Sequence, residues 1–90
     1  MTWNYRVIAQ KNEVGELIYG VHEVYYDEEN HQISYWSVNP IVLEADSYET
    51  LKAMKDRYFL AYTKPVLIES ELLENIKKVH KHSYKEFIKY

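Results

Sequence analysis

The spacing of apolar residues changes once along this chain, from every second position to a helical repeat, and this change restricts the fold more than any other feature. Before about residue 39 lie three segments rich in aromatic and β-branched residues and separated by short polar turns, and in the first of them apolar residues alternate with polar ones. In the first segment Ile8 is the exception, and the alternating apolar residues are Trp3, Tyr5, Val7 and Ala9. Alternation of this kind predicts half-buried strands. After about residue 46 the repeat is that of a helix with one apolar face.

We predict strands at residues 3–10, 17–26 and 32–38, joined by the turns KNEVGE and DEENH. Gly15 in the first turn can adopt a positive φ, and the second turn has the length of a hairpin loop. The third strand ends at Asn39-Pro40, because proline cannot donate a hydrogen bond to a neighbouring strand. Short turns between successive strands predict an antiparallel meander.

Two helices are predicted after the strands. Asp46 and Glu49 have the spacing of a capping box, so the first helix is expected over about residues 47–62. It ends before Pro65, since the residue preceding a proline avoids the helical region. The apolar segment PVLIE is either an added edge strand or an extended linker, and Ser70 is expected to cap the second helix.

The predicted fold class is therefore α+β. A three-stranded antiparallel meander, or a four-stranded one if PVLIE joins it, packs against one helix and is followed by a C-terminal helix. We expect residues 1–68 to form a βββα core domain and residues 69–90 to form a basic amphipathic helix that extends the same single domain. That second helix either shares the face of the first or reaches toward a partner. The expected core is one sheet-on-helix cluster, formed by Trp3, Tyr5, Val7, Val24, Trp36, Leu51, Met54 and Tyr58.

Composition and motifs exclude most kinds of catalytic and metal site. The chain has no cysteine, which rules out a disulfide scaffold, a thiol nucleophile and a thiolate-bound zinc, and which fits a reducing cytoplasm. No signal-peptide pattern and no apolar run of membrane-spanning length occur, so we expect a cytoplasmic protein without a membrane partner. His80 and His82 diverge on a helix, and the two glycines form no phosphate loop. We expect no enzymatic activity, no metal and no cofactor.

The doublet His22-Glu23 is the one pair that could suggest acid/base chemistry. Neighbouring residues of a strand point to opposite faces, so the two side chains cannot act as a unit on a regular strand. One interpretation is structural, with each residue pairing across the sheet. The other is a titrating or ligand-facing role, because histidine changes its charge near neutral pH.

Aromatic content and charge distribution indicate a binding surface instead. Ten tyrosines and two tryptophans in 90 residues exceed what a domain of this size can bury completely. The strand tyrosines Tyr19, Tyr25 and Tyr35 are candidate contact residues, since such rings provide stiff contact area. Residues 77–90 carry five lysines and one glutamate, a charge of +4, within a chain of net charge −3. In this segment the candidate contact residues are Lys78, Lys81 and Lys85.

Four short segments also resemble a known group of proteins. They are WNYRVI (3–8), YGVHEVYYDEEN (19–30), NP (39–40) and KPVL (64–67). In these segments, over roughly residues 3–67, the chain resembles small bacterial proteins that have no assigned activity. The resemblance implies kinship but no substrate, partner or catalytic residue. Residues 68–90 look like an extension of the pattern, and the turn at Asp27 lacks the glycine typical of it.

The leading interpretation is a non-catalytic protein-interaction module, a regulator or inhibitor that acts by occupying a surface. Its partner would be another protein or a second copy of this chain in a homodimer. One alternative is a nucleic-acid or nucleotide binder that uses the tyrosine-rich sheet and the lysine-rich helix. Another is an inhibitor, encoded by a mobile element, of a host defence enzyme, which would fit the small size.

Overall fold

A computed structural model describes residues 2–79 of this chain, with side chains for residues 2–75. The described elements, in chain order, are β1 (Thr2–Lys11), β2 (Leu17–Tyr26), β3 (Ile33–Trp36), α1 (Tyr48–Leu60), a 3₁₀ turn (Ala61–Thr63), β4 (Leu67–Ile68) and α2 (Glu69–Val79). None of the helices within this part of the chain has the length and hydropathy needed to span a membrane.

The four strands form one mixed sheet in the order β3-β2-β1-β4. Strands β1, β2 and β3 pair antiparallel in sequence order, as expected for a meander. Strand β4 instead pairs parallel to β1, through Ile8 with Leu67 and Ala9 with Ile68. The α+β class is confirmed, and the purely antiparallel arrangement is wrong for the fourth strand. Residues 37–66, which include α1, connect β3 at one edge of the sheet to β4 at the other. A long crossover of this kind is what allows β4 to run in the same direction as β1.

Backbone conformation explains the two turns of the meander. Gly15 adopts the positive φ expected of it, 86°, and donates a hydrogen bond to Asn12 O in the first turn. The second turn has no glycine, and its left-handed position falls on His31, with φ 59°. A non-glycine residue tolerates this conformation at some cost, and here His31 N donates to Asp27 O at 2.9 Å.

Each face of the sheet packs against a different helix. On one face Ile8, Val24 and Trp36 pack with Leu72 of α2, and all four side chains are buried. On the other face Tyr5, Val7 and Val21 pack with Ala61, which directly follows α1. The sheet therefore lies between the two helices, and in the middle of β1 the successive residues Val7, Ile8 and Ala9 are all buried although they point to alternate faces.

This arrangement corrects the predicted core. The single expected cluster is divided in two, because Val24 and Trp36 lie on the α2 face whereas Tyr5, Val7 and Tyr58 lie on the α1 face. Ile8 is fully buried and is not an exception to the pattern, since α2 covers its face. Helix α1 has no buried residue, and its contact with the sheet depends on the half-buried Tyr58 and on the turn that follows.

The helix starts also differ from the capping residues predicted. Helix α1 is capped by Ser47, whose side chain accepts a hydrogen bond from Thr50 N, so the cap is one residue later than Asp46. Helix α2 begins at Glu69, and Ser70 is therefore inside its first turn. The start shifts by one residue in α1 and by two residues in α2, which is the usual uncertainty of helix ends read from sequence.

The segment after β3 continues alongside β2. Ser37 N donates to Glu23 O and Ile41 N donates to Val21 O. Pro40 lies so close to Gly20 that a Cβ atom there would be 3.0 Å from Pro40 Cβ. Glycine at position 20 thus allows this segment to lie against the strand.

Candidate functional site

A continuous line of aromatic rings extends from the edge of the sheet to the end of α1. This aromatic strip consists of Tyr35, Tyr25, Trp3, Tyr5, Tyr58, Tyr62 and Phe59. The rings on β1 to β3 share one face of the sheet because side chains alternate along a strand. The rings around the end of α1 are neighbours because they are three or four residues apart. Neighbouring ring centroids along it are 4.5 to 6.3 Å apart. These are the separations of favourable aromatic pairs.

The α1 end of the strip is more exposed than its sheet end. Phe59 and Tyr62 are 56% and 60% exposed, and Trp3 is 39% exposed. Tyr25 and Tyr35 are half-buried and stack on each other with an interplanar angle of 14°. Tyr5 is buried beneath α1. A buried centre thus holds the exposed rings in fixed positions.

Two cations of α1 lie over rings of the strip. The Arg57 guanidinium carbon is 5.6 Å from the centre of the Trp3 ring. Lys55 Nζ is 5.8 Å from the centre of the ring of Phe59, which follows Lys55 by one turn of the helix. Both distances fall within the range over which a ring face attracts a cation.

Glu23 places a carboxylate at the sheet end of the strip. Tyr25 Oη donates a hydrogen bond of 2.7 Å to Glu23 Oε2. This hydrogen bond, together with burial and the negative charge of the carboxylate, raises the pKa of Tyr25 to about 12. Tyr25 is accordingly the neutral donor and Glu23 the charged acceptor near neutral pH.

The raised pKa of Tyr25 predicts a loss of stability in strong base. An unfolded tyrosine titrates at about pH 10, so the contribution of Tyr25 to stability is fully present below that pH. It is lost as the pH rises from about 10 to about 12, where the folded chain releases the proton. Titration of the phenolate absorbance should show a late step that Tyr25→Phe removes and that Glu23→Gln moves to lower pH. A Tyr25→Phe chain with an unchanged late step would contradict the assignment.

His22 lies on the opposite face from Glu23 and is fully buried. Its Nδ1 is 2.8 Å from Ser37 O, and because a carbonyl oxygen can only accept, Nδ1 carries the proton. Arg6, the partner of His22 across the strands, donates to Tyr26 Oη at 3.2 Å and to Pro65 O at 2.8 Å. Within the described residues His22 Nε2 and Arg6 Nε are buried without a hydrogen-bond partner. The doublet therefore has two separate environments.

The structure brings together some of the predicted contact residues and separates others. Tyr25 and Tyr35 are adjacent within the strip. Tyr19 shares their sheet face and is 61% exposed, but among the described residues it has no ring neighbour. The side chain of Lys78 lies outside the described residues, as do Lys81 and Lys85 entirely.

Sequence reasoning missed the α1 end of the strip. Arg57, Phe59 and Tyr62 were not predicted as contact residues, and Trp3 was assigned to the core. The signal was present as the i, i+4 pair Lys55 and Phe59 and the i, i+3 pair Phe59 and Tyr62, which share one helix face.

A depression in the surface lies near the start of α2. Its volume is about 210 Å³, and Ala9, Leu17 and Leu73 line it together with Glu69. Small-molecule sites are usually larger, about 300–1,000 Å³, and the Glu69 carboxylate is already bound by Gln10 and Trp36. Among residues 2–79 no group of three histidine, aspartate or glutamate side chains could hold a metal ion. The strip is thus the stronger candidate site.

No protein-family model, curated protein or solved structure matches this chain.

Proposed function

We propose that this chain is a non-catalytic protein-interaction module, a regulator or inhibitor that acts by occupying a surface of a protein partner. The observation that supports the proposal is the aromatic strip, a single line of seven rings of which Trp3, Phe59 and Tyr62 are exposed. An inhibitor of a host enzyme would be one form of such a module.

The physical reason is the low cost of ordering this surface. Tyrosine and tryptophan provide large contact areas with few rotatable bonds, and here they are held by ring–ring contacts before a partner arrives. Preorganisation of this kind leaves less conformational entropy to be lost on binding. Trp3, Phe59 and Tyr62 are exposed within one line of ring contacts, whereas exposed apolar residues of an ordinary surface are scattered singly.

A nucleic-acid binder is the second candidate. Arg57 and Lys55 beside the rings favour it, since bases stack on aromatic side chains next to cations. The lysine-rich residues 77–90 would add attraction for phosphate. Glu23 opposes it, because its carboxylate at the sheet end of the strip would repel a phosphate backbone.

A matched pair of double variants tests the proposal. Phe59→Ser with Tyr62→Ser removes exposed rings of the strip, and Val14→Ser with Val66→Ser removes exposed apolar side chains elsewhere (76% and 47% exposed). Each is used for capture from an extract of the native host and for sedimentation of the purified chain.

We expect the strip variant to lose a protein partner, or self-association, that the wild type and the control variant both retain. Equal capture by all three chains would overturn the proposal. Nuclease-sensitive capture that depends on the strip would favour the nucleic-acid binder.

A further inference from the structure

The sheet end of the aromatic strip has the chemistry to recognise one type of side chain. We propose that Tyr25, Tyr35 and Glu23 bind an arginine of the partner protein. This inference rests on the proposed function, since it names the chemistry of the partner that the strip would contact.

The strip already binds a guanidinium within this chain. Arg57 lies 5.6 Å from the centre of the Trp3 ring, and Lys55 lies 5.8 Å from the centre of the Phe59 ring. Both contacts are on the α1 side of the strip. Among the described residues no cation of this chain lies over Tyr25 or Tyr35. The sheet end therefore offers aromatic faces of the same kind without an internal cation.

Glu23 adds a negative charge beside the rings of the sheet end. Its Oε2 accepts the hydrogen bond from Tyr25 Oη at 2.7 Å. Its Oε1 accepts no hydrogen bond from any residue that the structure describes. A carboxylate oxygen next to stacked rings can pair with a cation whose flat face lies on those rings.

Arginine fits this combination better than lysine. Its guanidinium is planar and weakly hydrated, and it can stack on an aromatic ring while it donates to a carboxylate. Tyr25 and Tyr35 are nearly parallel, with centroids 4.5 Å apart and an interplanar angle of 14°. Tyr35 belongs to β3, the edge strand of the sheet, and is half-buried there. Lysine lacks the planar group that would stack on a ring.

A second copy of this chain does not supply the arginine. The chain contains two arginines, Arg6 and Arg57. Arg6 is engaged with Tyr26 and Pro65 on the other face of the sheet, and Arg57 lies over Trp3. Charge also favours a cationic partner. The net charge of the chain is −3 and residues 77–90 carry +4, so residues 1–76 carry −7.

The test uses the full chain labelled with ¹⁵N and three short capped peptides. They have the sequence Gly-Ser-X-Ser-Gly, where X is arginine, lysine or citrulline, the neutral isostere of arginine. Amide chemical shifts are followed as each peptide is added at low salt. We expect the arginine peptide to shift the signals of Glu23, Tyr25 and Tyr35, the lysine peptide to bind more weakly, and the citrulline peptide to have no effect.

Two variants identify the carboxylate responsible. Glu23→Gln keeps an acceptor for Tyr25 but loses the charge, and it should weaken binding of the arginine peptide on the order of tenfold, the contribution of one charge-assisted contact. Glu49→Gln changes an exposed carboxylate in the first turn of α1 and should leave binding unchanged. Melting curves of both variants check that they are folded.

Binding of the citrulline peptide as tightly as the arginine peptide would overturn the proposal, as would unchanged binding by Glu23→Gln. The result is separable from that of the proposed function. If the host partner is lost with the Phe59 and Tyr62 variant but retained by Glu23→Gln, the arginine site is wrong and the module stands. If the Phe59 and Tyr62 variant retains the partner, the module itself is wrong.

Discussion

Replacing Leu72 with alanine should lower the free energy of unfolding by about 2–5 kcal/mol, the usual cost of a buried leucine-to-alanine change. Leu72 is 8% exposed and packs with Ile8, Val24 and Trp36, which it covers from the α2 side. The loss would leave a cavity over the most deeply buried part of the sheet. Urea denaturation followed by circular dichroism measures the change.

Leu60→Ala is the matched control. Leu60 is 57% exposed at the end of α1, so the same chemical change should cost no more than about 0.5 kcal/mol there. Equal midpoints for the two variants would show that α2 does not pack on the sheet. The comparison also tests the predicted boundary at residue 68, because a chain whose first 68 residues form a complete core would tolerate loss of Leu72.

Replacing Glu69 with alanine should destabilise the chain by about 1–3 kcal/mol, the cost of leaving a buried donor without a partner. Glu69 Oε2 accepts hydrogen bonds from Trp36 Nε1 at 2.9 Å and from Gln10 Nε2 at 2.8 Å. Trp36 is 8% exposed, so its indole N–H would find little water in place of the carboxylate. One side chain at the start of α2 thus connects β1, β3 and the helix.

Two further substitutions separate the hydrogen bonds from other effects. Glu69→Gln keeps an acceptor oxygen and should cost less than Glu69→Ala. Glu71→Ala removes an exposed carboxylate from the first turn of the same helix and tests the loss of charge alone. The assignment fails if Glu69→Ala unfolds at the same urea concentration as Glu71→Ala.

Local pattern was sufficient for the elements of the meander. The predicted limits of β2 match the structure, and the positive φ of Gly15 follows from its place in a tight turn. Both depend on interactions between residues near in sequence, namely strand alternation and the steric freedom of glycine. The existence of both helices could be predicted for the same reason, with ends shifted by one or two residues.

The pairing of β4 could not be predicted in the same way. Leu67–Ile68 is two residues long, and no period can be detected over so short a segment. Its direction depends on a crossover of about 30 residues that begins after β3. The placement of α2 on the second sheet face follows from that crossover, and with it the burial of Ile8.

The sequence by itself determined that the chain has strands, then helices, and more aromatic rings than it can bury. Only the tertiary structure decided which rings meet. Trp3 and Tyr58 are 55 positions apart in the sequence and join one strip through Tyr5, because α1 returns across that face of β1. Contact between residues far apart in sequence depends on the packing of whole elements, and neither residue type nor local period contains that information.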